Sequence, residues 1–136
     1  MKKELNNIIV NEIEAVNKLL AALEKQYSCL VKSEAVVLEN CALEIEECNR
    51  NIAAFEMKRR EITKGRAMSE IVNEIDDNEL EDNYRKIRGL LEEVKLQKDT
   101  NELLIKQGLG YTNRILNILN PSRTPKTYNA NGKVYR

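Results

Sequence analysis

The chain has 136 residues and 15.7 kDa, 32% of them charged and 42% hydrophobic, which is room for one domain with a heavily solvated surface. Twenty-two basic residues balance 22 acidic ones, and a net charge of zero argues against general nucleic-acid or membrane-surface binding. There is no His, so the commonest general acid/base and the commonest imidazole ligand are missing. Five Gly and two Pro are too few for a many-stranded sheet or a glycine-rich phosphate loop, and an enzyme is not expected.

The N-terminus carries no signal-like apolar run, because Asn6, Asn7, Asn11 and Glu12 interrupt it, and no stretch approaches the length of a transmembrane helix. A soluble cytoplasmic protein is expected. The first 64 residues contain neither Gly nor Pro, which predicts long helices. Ile9, Ile13, Val16, Leu20, Leu23, Tyr27 and Leu30 follow one another at alternating steps of four and three, a heptad seam. A second seam runs through Leu38, Cys41, Ile45, Cys48, Ile52 and Phe55 to Ile62, with Arg59 in one apolar position. The two seams are offset by the equivalent of a four-residue insertion across Lys32-Ser33-Glu34. A continuous coiled coil can absorb such a stutter, but one helix through it would be about 96 Å long. A turn near 32–34 and an antiparallel hairpin is the preferred reading. Ser33 is a good N-cap, although Val36 in place of Glu or Gln denies it a capping box.

Gly65 should end the second helix behind Lys64. A short apolar turn of helix follows at Met68, Ile71, Val72 and Ile75, then Asp76-Asp77-Asn78, suited to a turn or an N-cap. Residues 70–82 hold seven acidic side chains and no basic one, read as a solvated helix start rather than an acidic docking patch. A third seam starts at Leu80 and passes through Tyr84, Ile87, Leu91 and Val94, with Gly89 off the seam. It then deteriorates at Lys98, Asn101, Ile105, Gly108 and Thr112 before Ile115 and Leu119 restore it. Pro121 and Pro125 close the helical part. The expected fold is all-α: an elongated antiparallel bundle over 1–120, made of a two-helix hairpin, a short connector helix and a long third helix. A flexible, disordered basic tail is expected over 121–136.

Chemistry-bearing clusters are sparse. Three cysteines cannot close a disulfide framework, and Cys41 and Cys48 lie two helical turns apart, so core packing is the preferred reading. Glu44, Glu46 and Glu47 lack the His partners of a carboxylate diiron site. Gly108-Leu109-Gly110 has neither a preceding strand nor a third glycine, so it is not a phosphate loop. The run Met57-Lys58-Arg59-Arg60 complements the dipole at a helix end. No metal site is expected.

Two features call for a partner. After Glu102 there is no acidic residue, while Lys106, Arg114, Arg123, Lys126, Lys133 and Arg136 carry six positive charges. Composition leaves open whether these meet the acidic 70–82 stretch or an external partner. In addition, Leu103, Leu104, Ile105, Leu109, Ile115, Leu116, Ile118 and Leu119 surround the helix more fully than one seam requires, and Gly108, Gly110 and Thr112 leave room for close approach. Such a helix expects more than one neighbour, a partner helix in a groove being the preferred reading against an oligomer contact or a core that wraps tighter without a fourth helix.

The segment Asn101-Glu102-Leu103-Leu104-Ile105-Lys106-Gln107-Gly108-Leu109, followed by Ile115-Leu116-Asn117-Ile118-Leu119-Asn120-Pro121, resembles the end of FlgN-type flagellar export chaperones. The tail Thr127-Tyr128-Asn129-Ala130-Asn131-Gly132 is similar to that family's Thr-Tyr-x-x-x-Gly signature, with Asn129 departing from the small residue that tends to follow the Tyr. Met68-Ser69-Glu70-Ile71-Val72 is similar to the family's short connector. The helical pattern resembles the family over nearly the whole chain, and residues 101–132 carry the specific motifs. The resemblance implies a cytoplasmic chaperone of type III flagellar export, without catalysis or cofactor. Its partners would be the hook–filament junction proteins FlgK and FlgL and an FlhA-like export-gate component, with no nucleic acid and no membrane insertion. It further implies that Asn101, Leu104, Ile105, Gly108, Leu109, Thr112, Ile115 and Leu116 bind the client, and that Tyr128 contacts the export gate. The competing class is a structural homodimeric coiled coil or adaptor with no export role; a homodimer is left open in either case.

Overall fold

In a computed structural model, residues 2–120, 127–128 and 134–135 are described. Four helices carry the fold: α1 Lys2–Lys32, α2 Ala35–Thr63, α3 Met68–Ile75 and α4 Asn78–Leu119. Two-residue strands β1 Thr127–Tyr128 and β2 Val134–Tyr135 pair antiparallel, with Thr127 opposite Tyr135 and Tyr128 opposite Val134. The remainder of the tail expected over 121–136 lies outside the described residues. The chain forms two compact units, Met1–Asn101 and Glu102–Arg136, so the division falls inside α4.

The expected turn is present, and its chemistry differs from the sequence reading. Ser33 does not cap α2; it adopts a left-handed backbone (φ 56°) that closes α1, while the N–H of Glu34 donates to the carbonyl of Cys29 at 3.0 Å. That five-back bond takes up an orphan carbonyl of the helix end. Glu34 then occupies the N-cap of α2 with no side-chain cap bond. The end of α2 repeats the device, with Lys64 left-handed (φ 53°) and the N–H of Gly65 donating to Arg60 O at 3.1 Å.

α1 and α2 run antiparallel, since Glu12 pairs with Arg59 while Lys25 pairs with Glu44. α1 and α4 run parallel: Asn6 meets Asn83, and Leu23 and Gln26 meet Asn101. α1 therefore serves two neighbours with two faces. Ile9 and Ile13 of its heptad seam join Leu5, one turn ahead of the seam, in a core completed by Met68, Ile71 and Val72 of α3 and by Leu80 and Ile87 of α4. Its small residues serve α2 instead: Ala15 lies near Phe55 and Cys48, Ala22 near Cys48, and Cys29 against Cys41. Burial of the large aliphatic side chains in the first of these interfaces contributes about 1.5–3 kcal/mol each.

The second seam is the less covered one. In α2 only Cys41 and Thr63 are buried; Leu38, Ile45, Cys48, Ile52, Phe55 and Ile62 are half-buried. The break in that seam at Arg59 has a counterpart in α1. The Arg59 guanidinium donates from Nε to Glu12 Oε1 at 3.1 Å and reaches Glu56 at 3.4 Å. Glu12 is a nearly buried carboxylate, and burial holds its pKa above the ordinary Glu value even though Arg59 pulls it down.

Candidate binding surface

Helix α4 begins on a built cap. Asp77 accepts the N–H of Leu80 on Oδ2 at 3.2 Å and the Asn6 amide at 3.0 Å, while Asn83 donates to Asn6. Those bonds, the Asn6 bond foremost, hold the Asp77 carboxyl below the usual Asp range. Asp76 just before it is left-handed (φ 49°) and ends α3. The turn and N-cap expected at 76–78 are thus both present, and Asn6 ties the cap to the first turns of α1.

From there α4 keeps one face toward the core. Leu80 and Ile87 are buried, and Tyr84, Leu90, Val94 and Gln97 half-buried; Leu91 of the expected seam is 47% exposed, with Leu90 in its place. A straight helix at 3.6 residues per turn drifts against a strict heptad, so the inward position moves from 91 to 90 and from 98 to 97. Among the described residues the last buried one is Asn101, at 2% exposure. Its amide donates to Leu23 O and to Gln26 Oε1, both at 2.9 Å, and its oxygen accepts from Gln97 at 3.0 Å.

The residues expected to bind a client separate at this point. Asn101 is held inside: both its amide protons are committed within the bundle, where they anchor α4 to α1. Leu104 is half-buried, Ile105 is 40% exposed, Ile115 37% and Leu116 51%, and Gly108 is exposed with open space where a Cβ would stand. Leu109 and Thr112 sit on the same stretch of helix, and their side chains lie outside the described residues, as does that of Tyr128. At 100° per residue, positions 104, 105, 108, 109, 112, 115 and 116 fall within an arc of about 140°. Leu119 shares the arc and is exposed, which the restored seam at 115 and 119 signals in the sequence. Leu103 and Ile118, both exposed, lie off it.

The surface is apolar, and Lys106 lies beside one edge of the arc. Lys106 and Arg114 are exposed on α4, and no acidic residue follows Glu102. Among the described residues no cluster of three or more His, Cys, Asp or Glu could hold a metal, and no helix is long and apolar enough to cross a membrane. Shallow clefts of about 380 and 420 Å³ run along α1 and α2, with charged rims that include Lys18, Lys25, Glu44 and Lys58, and one of about 490 Å³ lies between α3 and α4, lined by Ser69, Val72, Tyr84 and Arg88.

The described helices and this surface define a class: an all-helical protein that carries a helix-sized apolar face on a charged scaffold. The chain belongs to the FlgN family, described as FlgN protein, whose match spans residues 1–136. That family is one of flagellar export chaperones, which bind flagellar substrate proteins. No curated protein and no solved structure matches the chain.

Proposed function

We propose that the chain is a cytoplasmic chaperone of type III flagellar export that holds amphipathic terminal helices of the junction proteins FlgK and FlgL. It acts by binding alone, without catalysis or cofactor. The observation that carries this reading is the exposed apolar arc of Ile105, Ile115, Leu116 and Leu119 on α4. An amphipathic client helix laid on that face would bury its own apolar stripe, which keeps it from aggregating or polymerising early. Lys106, beside one edge of the arc, favours a client helix with an acidic flank. Delivery to an FlhA-like gate component falls to the tail, with Tyr128 as the contact residue.

Titration calorimetry with peptides of the FlgK and FlgL terminal helices tests the reading. Ile105→Asp and Leu116→Asp each place a charge on an exposed position, so both variants should keep wild-type helix content. Each should weaken client binding at least tenfold, the equivalent of about 1.4 kcal/mol. Unchanged affinity in both variants overturns the assignment of the surface. Tyr128→Ala should leave client affinity unchanged and lower secretion of junction protein. Wild-type secretion overturns the assignment of Tyr128.

A further inference from the structure

The sequence sets Cys29 apart from Cys41 and Cys48, and the fold brings it to one of them. Lys25 Nζ lies 3.3 Å from Glu44 Oε1. One turn further along α1 from Lys25 is Cys29, and one turn back along α2 from Glu44 is Cys41, so the antiparallel register sets the two cysteines opposite each other. Both are interior, Cys29 at 5% exposure and Cys41 at 0%. The α1–α2 turn beside them is closed by the bond from the Glu34 N–H to Cys29 O. Small side chains, Ala15 and Ala22 of α1, line the same interface and let the two backbones approach closely. Cys48, two turns away from Cys41 along α2, lines the surface clefts instead.

We propose that Cys29 and Cys41 are a modification site, a thiol pair that an oxidised low-molecular-weight thiol such as glutathione disulfide converts to an intramolecular disulfide across the hairpin tip. The Cys29 thiolate attacks one sulfur of glutathione disulfide, forms a mixed disulfide and releases one glutathione thiolate. The Cys41 thiolate then attacks the Cys29 sulfur, closes the ring and releases the second. Two protein thiols lose two protons and two electrons, and one glutathione disulfide becomes two glutathiones. Cys29 leads because it keeps 5% exposure while Cys41 is fully enclosed. Both thiols are interior, so the first step proceeds through local opening of the tip, and the reaction is slow in the closed state. Once closed, the bond restrains the end of the hairpin that exposes Tyr27, Val31 and Val36.

Incubating the full chain in buffers of increasing glutathione disulfide, followed by non-reducing proteolysis and mass spectrometry, tests the site. The expected product has lost two hydrogens, links the Cys29 and Cys41 peptides and leaves Cys48 open to alkylation. Cys48→Ser should form the same link at the same rate. Cys29→Ser should instead accumulate no internal disulfide. Circular dichroism keeps the result independent of misfolding, because the Cys48→Ser variant retains both paired thiols. A link that includes Cys48, a stable glutathione adduct without ring closure, or no change at any redox poise that oxidises free dithiothreitol overturns the proposal.

Discussion

Replacing Arg59 by Met removes the guanidinium that faces Glu12 and leaves an apolar side chain in its place. The Glu12 side chain is 6% exposed and that of Arg59 20%, and their bond is 3.1 Å long. Breaking a buried pair on one side costs about 3–5 kcal/mol. Because water reaches one-fifth of Arg59, the lower end applies, about 3 kcal/mol at neutral pH. That is a large fraction of the 5–15 kcal/mol typical of a domain. Glu12→Met combined with Arg59→Met removes both charges, and its stability should return to within about 1 kcal/mol of wild type. The deficit of the single variant depends on pH. The folded-state pKa of Glu12 is already raised by burial, and loss of Arg59 raises it further. A carboxyl raised on folding contributes stability that is full below its unfolded pKa and lost as pH rises through its folded pKa. Arg59→Met should therefore recover stability on acidification from about pH 7 toward about pH 5. Urea unfolding followed by circular dichroism at the two pH values measures this. A deficit below about 1 kcal/mol at neutral pH, or one that does not shrink on acidification, refutes the reasoning.

Gly89 is exposed within α4 with open space where a methyl group would stand, so Gly89→Ala should stabilise the protein by about 1 kcal/mol and raise its thermal midpoint, with client affinity unchanged. Gly108→Ala should gain similar helix stability, since nothing lies within contact of a methyl group there, and weaken client binding in calorimetry; unchanged affinity counts against a close approach of the client at this glycine. The Asp77 carboxyl is held below its ordinary pKa by Asn6, by the Leu80 N–H and by Lys2. A carboxyl lowered on folding contributes stability that is present above its unfolded pKa and lost as pH falls through its folded one. Asp77→Asn should therefore flatten the acid limb of an unfolding profile, and an unchanged limb counts against the cap.

Much of the helical plan was legible because large aliphatic residues repeat at heptad spacing and polar residues mark the turns. The hairpin turn at 32–34, the connector at 68–75 and the cap at Asp77 all follow from such signals. Three features were not legible, each for a physical reason. The face of α1 that meets α2 is built from Ala15, Ala22 and Cys29, which are small enough that a seam of Leu and Ile outweighs them in any periodicity. Arg59 reads as a gap in its seam until Glu12, 47 positions away, is seen to occupy the facing site. Asn101 reads as an accessible polar residue beside an apolar run, because its partners Leu23 and Gln26 are 78 and 75 positions distant. The apolar surface beyond Asn101 was visible as an excess of Leu and Ile over what one seam needs. Its exposure at Ile105, Ile115, Leu116 and Leu119 places part of that excess on one arc of α4, while Leu103 and Ile118 lie off it.

Site-specific photo-crosslinking tests the central claim most directly. A benzophenone amino acid is placed at Leu116 on the α4 face, or at Leu43 on α2, which is also exposed. Each full-length protein is irradiated with purified FlgK and FlgL. The account predicts a covalent adduct that carries the terminal helix of the junction protein from position 116 and none from position 43. Adducts from position 43 alone, or from neither position while the proteins still bind, would contradict it.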